Sequence, residues 1–306
     1  MKKYLKSLSL LFVTVFSFCE SQNHGEEQVT NITTINQDIE NKHLISAEVL
    51  LRKINNKEES IIIDVRRTNE YQKGHIPGAL NVWRPMYVNE ELEYRGMIAP
   101  KEKVQALMSN LGVSAGQNVI IYDASGYDAS RFWWTLKRYG HTNTMILDGG
   151  LTNWVKKGYP VSNEVPSISP TEFSFNGEGS YEMYADLEDV KAAIDDPDII
   201  LLDVRSDDEF NGGHIPGSIH LEWINSVNID SDKKLKSLEE LKEIFISKGI
   251  TANKKIITYC HTGVRAAQSA FVLKELLGFE EVKNYDGSWS EWTHFKMPVE
   301  SKSINR

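Results

Sequence analysis

The run Cys260-His261-Thr262-Gly263-Val264-Arg265 joins the apolar stretch 255–259 to a helix-like segment that begins near Ala266. A cysteine at such a junction is placed to be a thiolate. A free thiol titrates near about 8.5, and a helix N-terminus with nearby cations brings it to roughly 3.5–7.5. A six-residue loop that curls its backbone N–H groups inward makes a concavity that favours negative charge. Gly263 permits the tight turn this needs. Arg265 is expected to bind an anion or to fix the loop by pairing with a carboxylate. His261 is expected to add partial positive charge or to face solvent. Thr262 offers a hydroxyl to an anionic oxygen. The other cysteine, Cys19, ends an export-like N-terminal run, so Cys260 reads as a thiol kept for chemistry rather than for a disulfide. No cysteine pair and no HExxH spacing is present, so neither a metal nor an organic cofactor is expected.

The elements that must hold this loop are short apolar strands alternating with helical segments. Runs such as Ile61-Ile62-Ile63-Asp64 and Ile200-Leu201-Leu202-Asp203 are apolar almost throughout, as in strands covered on both faces of a parallel sheet. Helices are expected over 101–111, 129–139, 237–248 and 266–277. Strand–helix alternation predicts an α/β fold with a mainly parallel sheet, and ligands in such sheets sit at the carboxyl ends of strands. Cys260 lies at such an end.

The chain also repeats itself. Asp64-Val65-Arg66, then Glu70-Tyr71, then GHIPG at 74–78 recur as Asp203-Val204-Arg205, Glu209-Phe210 and GHIPG at 213–217, 139 residues later. Further on, Tyr122 answers Tyr259, and Asp148-Gly149-Gly150 with Trp154 answers Asp286-Gly287-Ser288 with Trp292. Aligning the two tyrosines places Asp123 opposite Cys260, and DASGYDA opposite CHTGVRA. A carboxylate cannot carry a sulfur atom as a thiol can, so the first copy is expected to be catalytically silent, a docking wall and one half of a cleft.

The two DVR…GHIPG blocks, the CHTGVRA loop and YDGSWSEW at 285–292 together resemble the tandem-domain rhodanese family over about residues 42–298. The resemblance implies two tandem α/β domains, each a mainly parallel β-sheet flanked by helices. It assigns 42–161 to an inactive first domain, 162–180 to a linker and 181–300 to a catalytic second domain. It also implies a sulfurtransferase that moves a sulfane sulfur through a persulfide on Cys260, with a small-molecule donor and a thiophilic acceptor, cyanide or a thiol. Asp203 and Arg205 would brace the strand end and the loop. His214 and its twin His75 would fix loops, and Trp289 would wall the pocket or join the core. Trp83, Arg84 and Arg95 are candidates to reach the cleft from the first domain. Relatives that use mercaptopyruvate usually carry glycine after the cysteine, where this chain has His261, so thiosulfate is the favoured donor and 3-mercaptopyruvate the alternative. Some relatives carry an arginine four positions beyond Arg205, where this chain has Glu209.

Rival readings are a cysteine phosphatase or arsenate reductase, a non-catalytic module that binds an anion or a partner, and a protein sulfur carrier. The phosphatase type needs five residues between cysteine and arginine to enclose a tetrahedral oxyanion. Four lie between Cys260 and Arg265.

A chain of 306 residues fits two domains of ordinary size. A net charge of −9 argues against nucleic acid as the main partner. Lys2, Lys3 and Lys6 precede an apolar run over 8–18, too short to span a bilayer and patterned like a signal peptide over 1–21. Cleavage after Ser21 and lipidation of Cys19 are both open, and residues 22–41 read as a flexible tether. An exported protein, periplasmic or lipid-anchored, is expected.

Overall fold

The computed structural model describes residues 42–177 and 179–301. The expected signal peptide, Cys19 and the expected tether lie outside the described residues. Two five-stranded sheets are present, and every strand pair in them is parallel. The first contains β1 (Leu44–Ile45), β2 (Ile61–Asp64), β3 (Leu80–Asn81), β4 (Val119–Tyr122) and β5 (Thr144–Leu147), in the order β1-β5-β4-β2-β3. The second contains β6 (Tyr184–Ala185), β7 (Ile199–Asp203), β8 (Ile219–His220), β9 (Lys255–Tyr259) and β10 (Val282–Tyr285), in the order β6-β10-β9-β7-β8. The duplication read from the sequence is thus a duplication of topology, and the α/β expectation holds.

The strands form where both faces are covered. Val119, Ile120, Ile121 and Tyr122 are all buried, as are Ile256, Ile257, Thr258 and Tyr259. At the carboxyl end of each central strand a tyrosine hydroxyl reaches the GHIPG segment. Tyr122 accepts from the Ile76 N–H at 3.0 Å, and Tyr259 from the Ile215 N–H at 3.1 Å. His75 and His214 each place Nδ1 2.9 Å from a backbone carbonyl, of Tyr71 and Phe210, and stack on the same residue's ring at 3.8 Å. These histidines lock the turn onto the short helix before it.

Helix α4 (Tyr127–Arg138) follows β4, and helix α9 (Val264–Phe271) follows β9; the helices before, between and after them are α1 (Ala47–Asn55), α2 (Thr68–Tyr71), α3 (Lys101–Asn110), α5 (Gly150–Lys156), α6 (Leu187–Ala193), α7 (Asp207–Gly212), α8 (Leu238–Ser247) and α10 (Ser288–His294). Helices α4 and α9 pack on one another where the halves meet, with Trp133 edge-on to Phe271 at 4.9 Å. Each therefore buries one face on its own sheet and another on its counterpart, which is why both are buried almost all round. The helix expected over 266–277 begins two residues earlier and runs into a π-helical turn, Val272–Leu276. Residues 162–180 do not hang free between the halves. His75 bridges to Ser162, and Phe173 and Phe175 are buried among aromatic and aliphatic side chains. Proline and glycine content concealed those two anchors.

Candidate active site

Cys260 follows the last residue of β9 and is 1% exposed. Its N–H donates to Ser288 Oγ at 3.2 Å, and its carbonyl accepts from the Trp289 N–H at 3.0 Å. Ser288 takes a positive φ of 51° and donates its hydroxyl to the Tyr285 carbonyl at 2.8 Å. His261 is exposed, Thr262 and Arg265 are half-buried, and Val264 is buried as the first residue of α9. The sulfur thus lies at the floor of a loop whose rim is polar.

The first half shows what this loop geometry holds. Asp123 occupies the position of Cys260 and turns its carboxylate into its own loop. Oδ1 accepts from the N–H groups of Ser125, at 2.6 Å, and Gly126, and Oδ2 from those of Asp128 and Ala129, at 2.7 and 3.3 Å. Four amides converge on one negative charge. In the second loop the equivalent amides are those of Thr262, Gly263, Arg265 and Ala266, around Cys260. Gly126 and Gly263 both take left-handed conformations, φ 96° and 72°, at the helix start. Burial pushes the Asp123 carboxyl up, and the charge of Asp128 adds to it.

Arg265 does not stand free to meet a donor. Its Nη1 and Nη2 donate to Glu209 Oε2 and Oε1 at 2.7 and 2.8 Å. Glu209 also closes the capping box of α7, accepting from the N–H and the hydroxyl of Ser206 at 3.1 Å each. The Arg265 bond, then the capping contacts, hold the Glu209 carboxyl well below its usual range, down to about 2. Burial works against the Arg265 charge, but Glu209 and the Cys260 sulfur outweigh it and keep the guanidinium protonated. Partial burial depresses His261, Glu209 opposes this, and the cations Arg265, Arg205 and Arg95 add to it. Burial and the neighbouring arginines thus work against a charge on His261, and Glu209 works for it.

Asp203 and Arg205 form a buried pair. Arg205 Nε lies 3.0 Å from both carboxylate oxygens, and its Nη2 reaches Asp203 Oδ2 at 2.6 Å and the Gly213 carbonyl at 2.7 Å. This ties the end of β7 to the GHIPG turn. Trp289 is a platform for that pair, with the Arg205 guanidinium 4.3 Å above its ring. Trp83 and Arg84 line a cavity of about 440 Å³ in the first half, together with Asp123 and Asp128, and Arg84 pairs with Asp128.

The first half reaches the cysteine loop by the Arg95 segment, which the sequence did offer, and by residues that it did not single out. Arg131, fully buried on α4, pairs with buried Asp286 and donates to the carbonyls of Gly96 at 2.6 Å and Gly263 at 3.4 Å. Asn284 donates to the same Gly263 carbonyl at 3.2 Å. The segment Tyr94-Arg95-Gly96 crosses over the loop. The Tyr94 hydroxyl donates to Glu291 at 2.9 Å, the Arg95 N–H to Ser290 Oγ at 3.1 Å, and Gly96 lies so close to Thr262 that a Cβ there would sit 2.6 Å from the threonine Cβ. The one legible signal was an arginine directly before the aromatic run at 132–134, since a charge among buried rings requires a partner.

Fold and site together define a duplicated α/β protein with the same loop in each half, holding a carboxylate in the first and carrying a cysteine in the second. The rhodanese-like domain model matches residues 46–157 and again 186–295. A thiosulfate sulfurtransferase of Pseudomonas aeruginosa is 32% identical over 254 residues, covering 79% of this chain and 91% of its own. The sulfur carrier protein TtuD of Thermus thermophilus is 36% identical over 250 residues, covering 72% and 83%. The crystal structure of SseA from Escherichia coli, described with the 3-mercaptopyruvate sulfotransferases, superposes with a TM-score of 0.72 at 30% identity over 81% of this chain and 98% of its own. The chain belongs to the rhodanese-like family. No helix among the described residues is long and apolar enough to cross a membrane.

Proposed function

We propose that Cys260 is the nucleophile of a rhodanese-type sulfurtransferase that carries sulfane sulfur as a persulfide. The observation that supports this most strongly is the Asp123 carboxylate held by four amides in the twin loop. The same backbone around Cys260 suits a thiolate and, one step later, an anionic persulfide.

With thiosulfate as donor, the Cys260 thiolate attacks the outer sulfur. The Sγ–S bond forms, the S–S bond of thiosulfate breaks, and its electron pair leaves on sulfite. A nucleophilic acceptor, cyanide or a thiolate, then bonds to the terminal sulfur, and the electron pair of the broken S–S bond returns to Cys260 as the thiolate. Neither step needs a metal or an organic cofactor. The first half is read as the silent partner, its loop filled by Asp123. The name of the Pseudomonas aeruginosa relative supports thiosulfate as donor, and that of the Thermus thermophilus relative supports a second reading in which the acceptor is a protein thiol. The basic-then-apolar pattern over residues 1–18 supports export, with Cys19 lipidation and cleavage after Ser21 distinguished by the N-terminal mass.

Thiocyanate release from thiosulfate and cyanide tests the reading. Cys260→Ser is expected to lose more than about 10³-fold in rate, as removal of a nucleophile does. Equal release by both proteins refutes it.

A further inference from the structure

Three arginines lie near enough to the Cys260 loop for their charge to depress His261: Arg205, Arg265 and Arg95. Two are committed. Arg205 is bound to Asp203 and to the Gly213 carbonyl, and it is 2% exposed. Arg265 is held in a two-pronged contact with Glu209. Its guanidinium is thus shared between Glu209 and the Cys260 sulfur rather than left open to a donor. Burial and these cations also work against a charge on His261.

Arg95 differs in each respect. It is exposed, and no carboxylate partner binds its guanidinium among the described residues. Its backbone is nevertheless fixed in place. Its N–H bonds Ser290, whose own N–H bonds the His261 carbonyl at 2.9 Å, Tyr94 on one side bonds Glu291, and Gly96 on the other packs on Thr262. An exposed cation is thus tethered at the rim of the cysteine loop by the half that lacks the cysteine. An anionic donor approaching a thiolate needs such a countercharge, because two negative groups must meet.

We propose that Arg95 is a substrate-binding residue supplied by the first half, and that it receives the anionic oxygen group of the sulfur donor while the sulfane sulfur faces Cys260. The assignment rests on the reading of Cys260 as the nucleophile. The shared chemistry is a small molecule with a sulfonate or carboxylate end, and two probes separate these sources.

The first probe is thiosulfate turnover. Arg95→Ala is expected to lower kcat/KM about tenfold, mainly through KM, and Arg95→Glu further, as loss of a charge-assisted contact does. Arg95→Lys is expected to retain most of the value. The second probe is alkylation of Cys260 by iodoacetate and by neutral iodoacetamide, in which the thiolate displaces iodide. The ratio of the iodoacetate rate to the iodoacetamide rate is expected to fall at least about fivefold in Arg95→Ala. A rise in thiosulfate KM alone assigns the sulfonate, and a rise in KM together with a fall in the alkylation ratio assigns anionic donors generally. Unchanged KM and unchanged ratio, or equal slowing by both alkylating reagents, overturns the proposal. A charge-dependent ratio in a protein that takes no sulfur from thiosulfate supports the anchor and refutes the sulfur-transfer reading.

Discussion

Arg265 places both terminal nitrogens of its guanidinium on the Glu209 carboxylate, 2.7 and 2.8 Å away, and so joins the N-terminus of α9 to that of α7. The pair brings a cation to the cysteine loop without leaving it free to bind a donor on its own. It also explains why a glutamate is acceptable at 209. The carboxylate serves two helix starts at once, bonding Ser206 and Arg265 with the same oxygen.

Glu209→Gln keeps an acceptor for the Ser206 N–H and loses the charge, whereas Glu209→Ala loses both. We expect Glu209→Ala to cost about 1–2 kcal/mol and Glu209→Gln less than about 1 kcal/mol, since a half-exposed ion pair contributes little and a capping contact somewhat more. The pH dependence follows from the depressed carboxyl. The stabilisation is fully present above the unfolded value near 4.5 and is lost as the pH falls through about 2. Urea denaturation of wild type and Glu209→Gln at pH 6 and pH 2.5 should show the difference shrinking at the lower pH. A difference that grows on acidification contradicts the assignment.

Gly263 and Gly126 occupy the same turn and face different surroundings. A Cβ on Gly263 would lie 2.7 Å from the Asp286 carbonyl oxygen and 3.0 Å from Arg131 Nη1, whereas one on Gly126 meets nothing within 4 Å. Gly126→Ala should cost about 1–2 kcal/mol, the strain of a left-handed alanine. Gly263→Ala should cost about 1–3 kcal/mol more, because backbone must move as well. Thermal or chemical denaturation reads both, and equal losses refute the close approach of Asp286 and Arg131 to this loop.

Arg131 and Asp286 are buried in one another's company, with α4 of the first half supplying the cation and the segment after β10 the anion. Removing one partner strands a buried charge, so Arg131→Met should cost about 3–5 kcal/mol, and Arg131→Met with Asp286→Asn together less than the sum. Because Arg131 also holds the Gly263 carbonyl, Arg131→Lys, which keeps the charge and loses the fork, should slow sulfur loading of Cys260 more than it lowers stability. Additive losses in the double variant contradict a direct pair.

The repeated strands, the two loops, the Asp123–Cys260 correspondence and the α/β architecture were legible because each rests on local composition or on self-similarity. The clamp made by Arg131, Asp286 and Gly96 was not, because its members are far apart in sequence and meet only when α4 packs on α9. Periodicity marks Arg131 as facing inward but does not name its partner. Ser288 was hidden for a different reason. Its role depends on a left-handed backbone that a serine does not advertise. Residues 162–180 looked like a linker because proline, glycine and serine dominate there, while Phe173 and Phe175 do the anchoring. Arg265 was read as binding an anion or pairing with a carboxylate, and its partner, Glu209, was not legible because the two lie 56 residues apart.

The mass of the intact protein after incubation with thiosulfate and removal of excess donor tests the central claim most directly. The account predicts a gain of one sulfur atom, mapped to Cys260, discharged by cyanide as thiocyanate and absent in Cys260→Ser. No gain in the unmodified protein, or the same gain in Cys260→Ser, would contradict it.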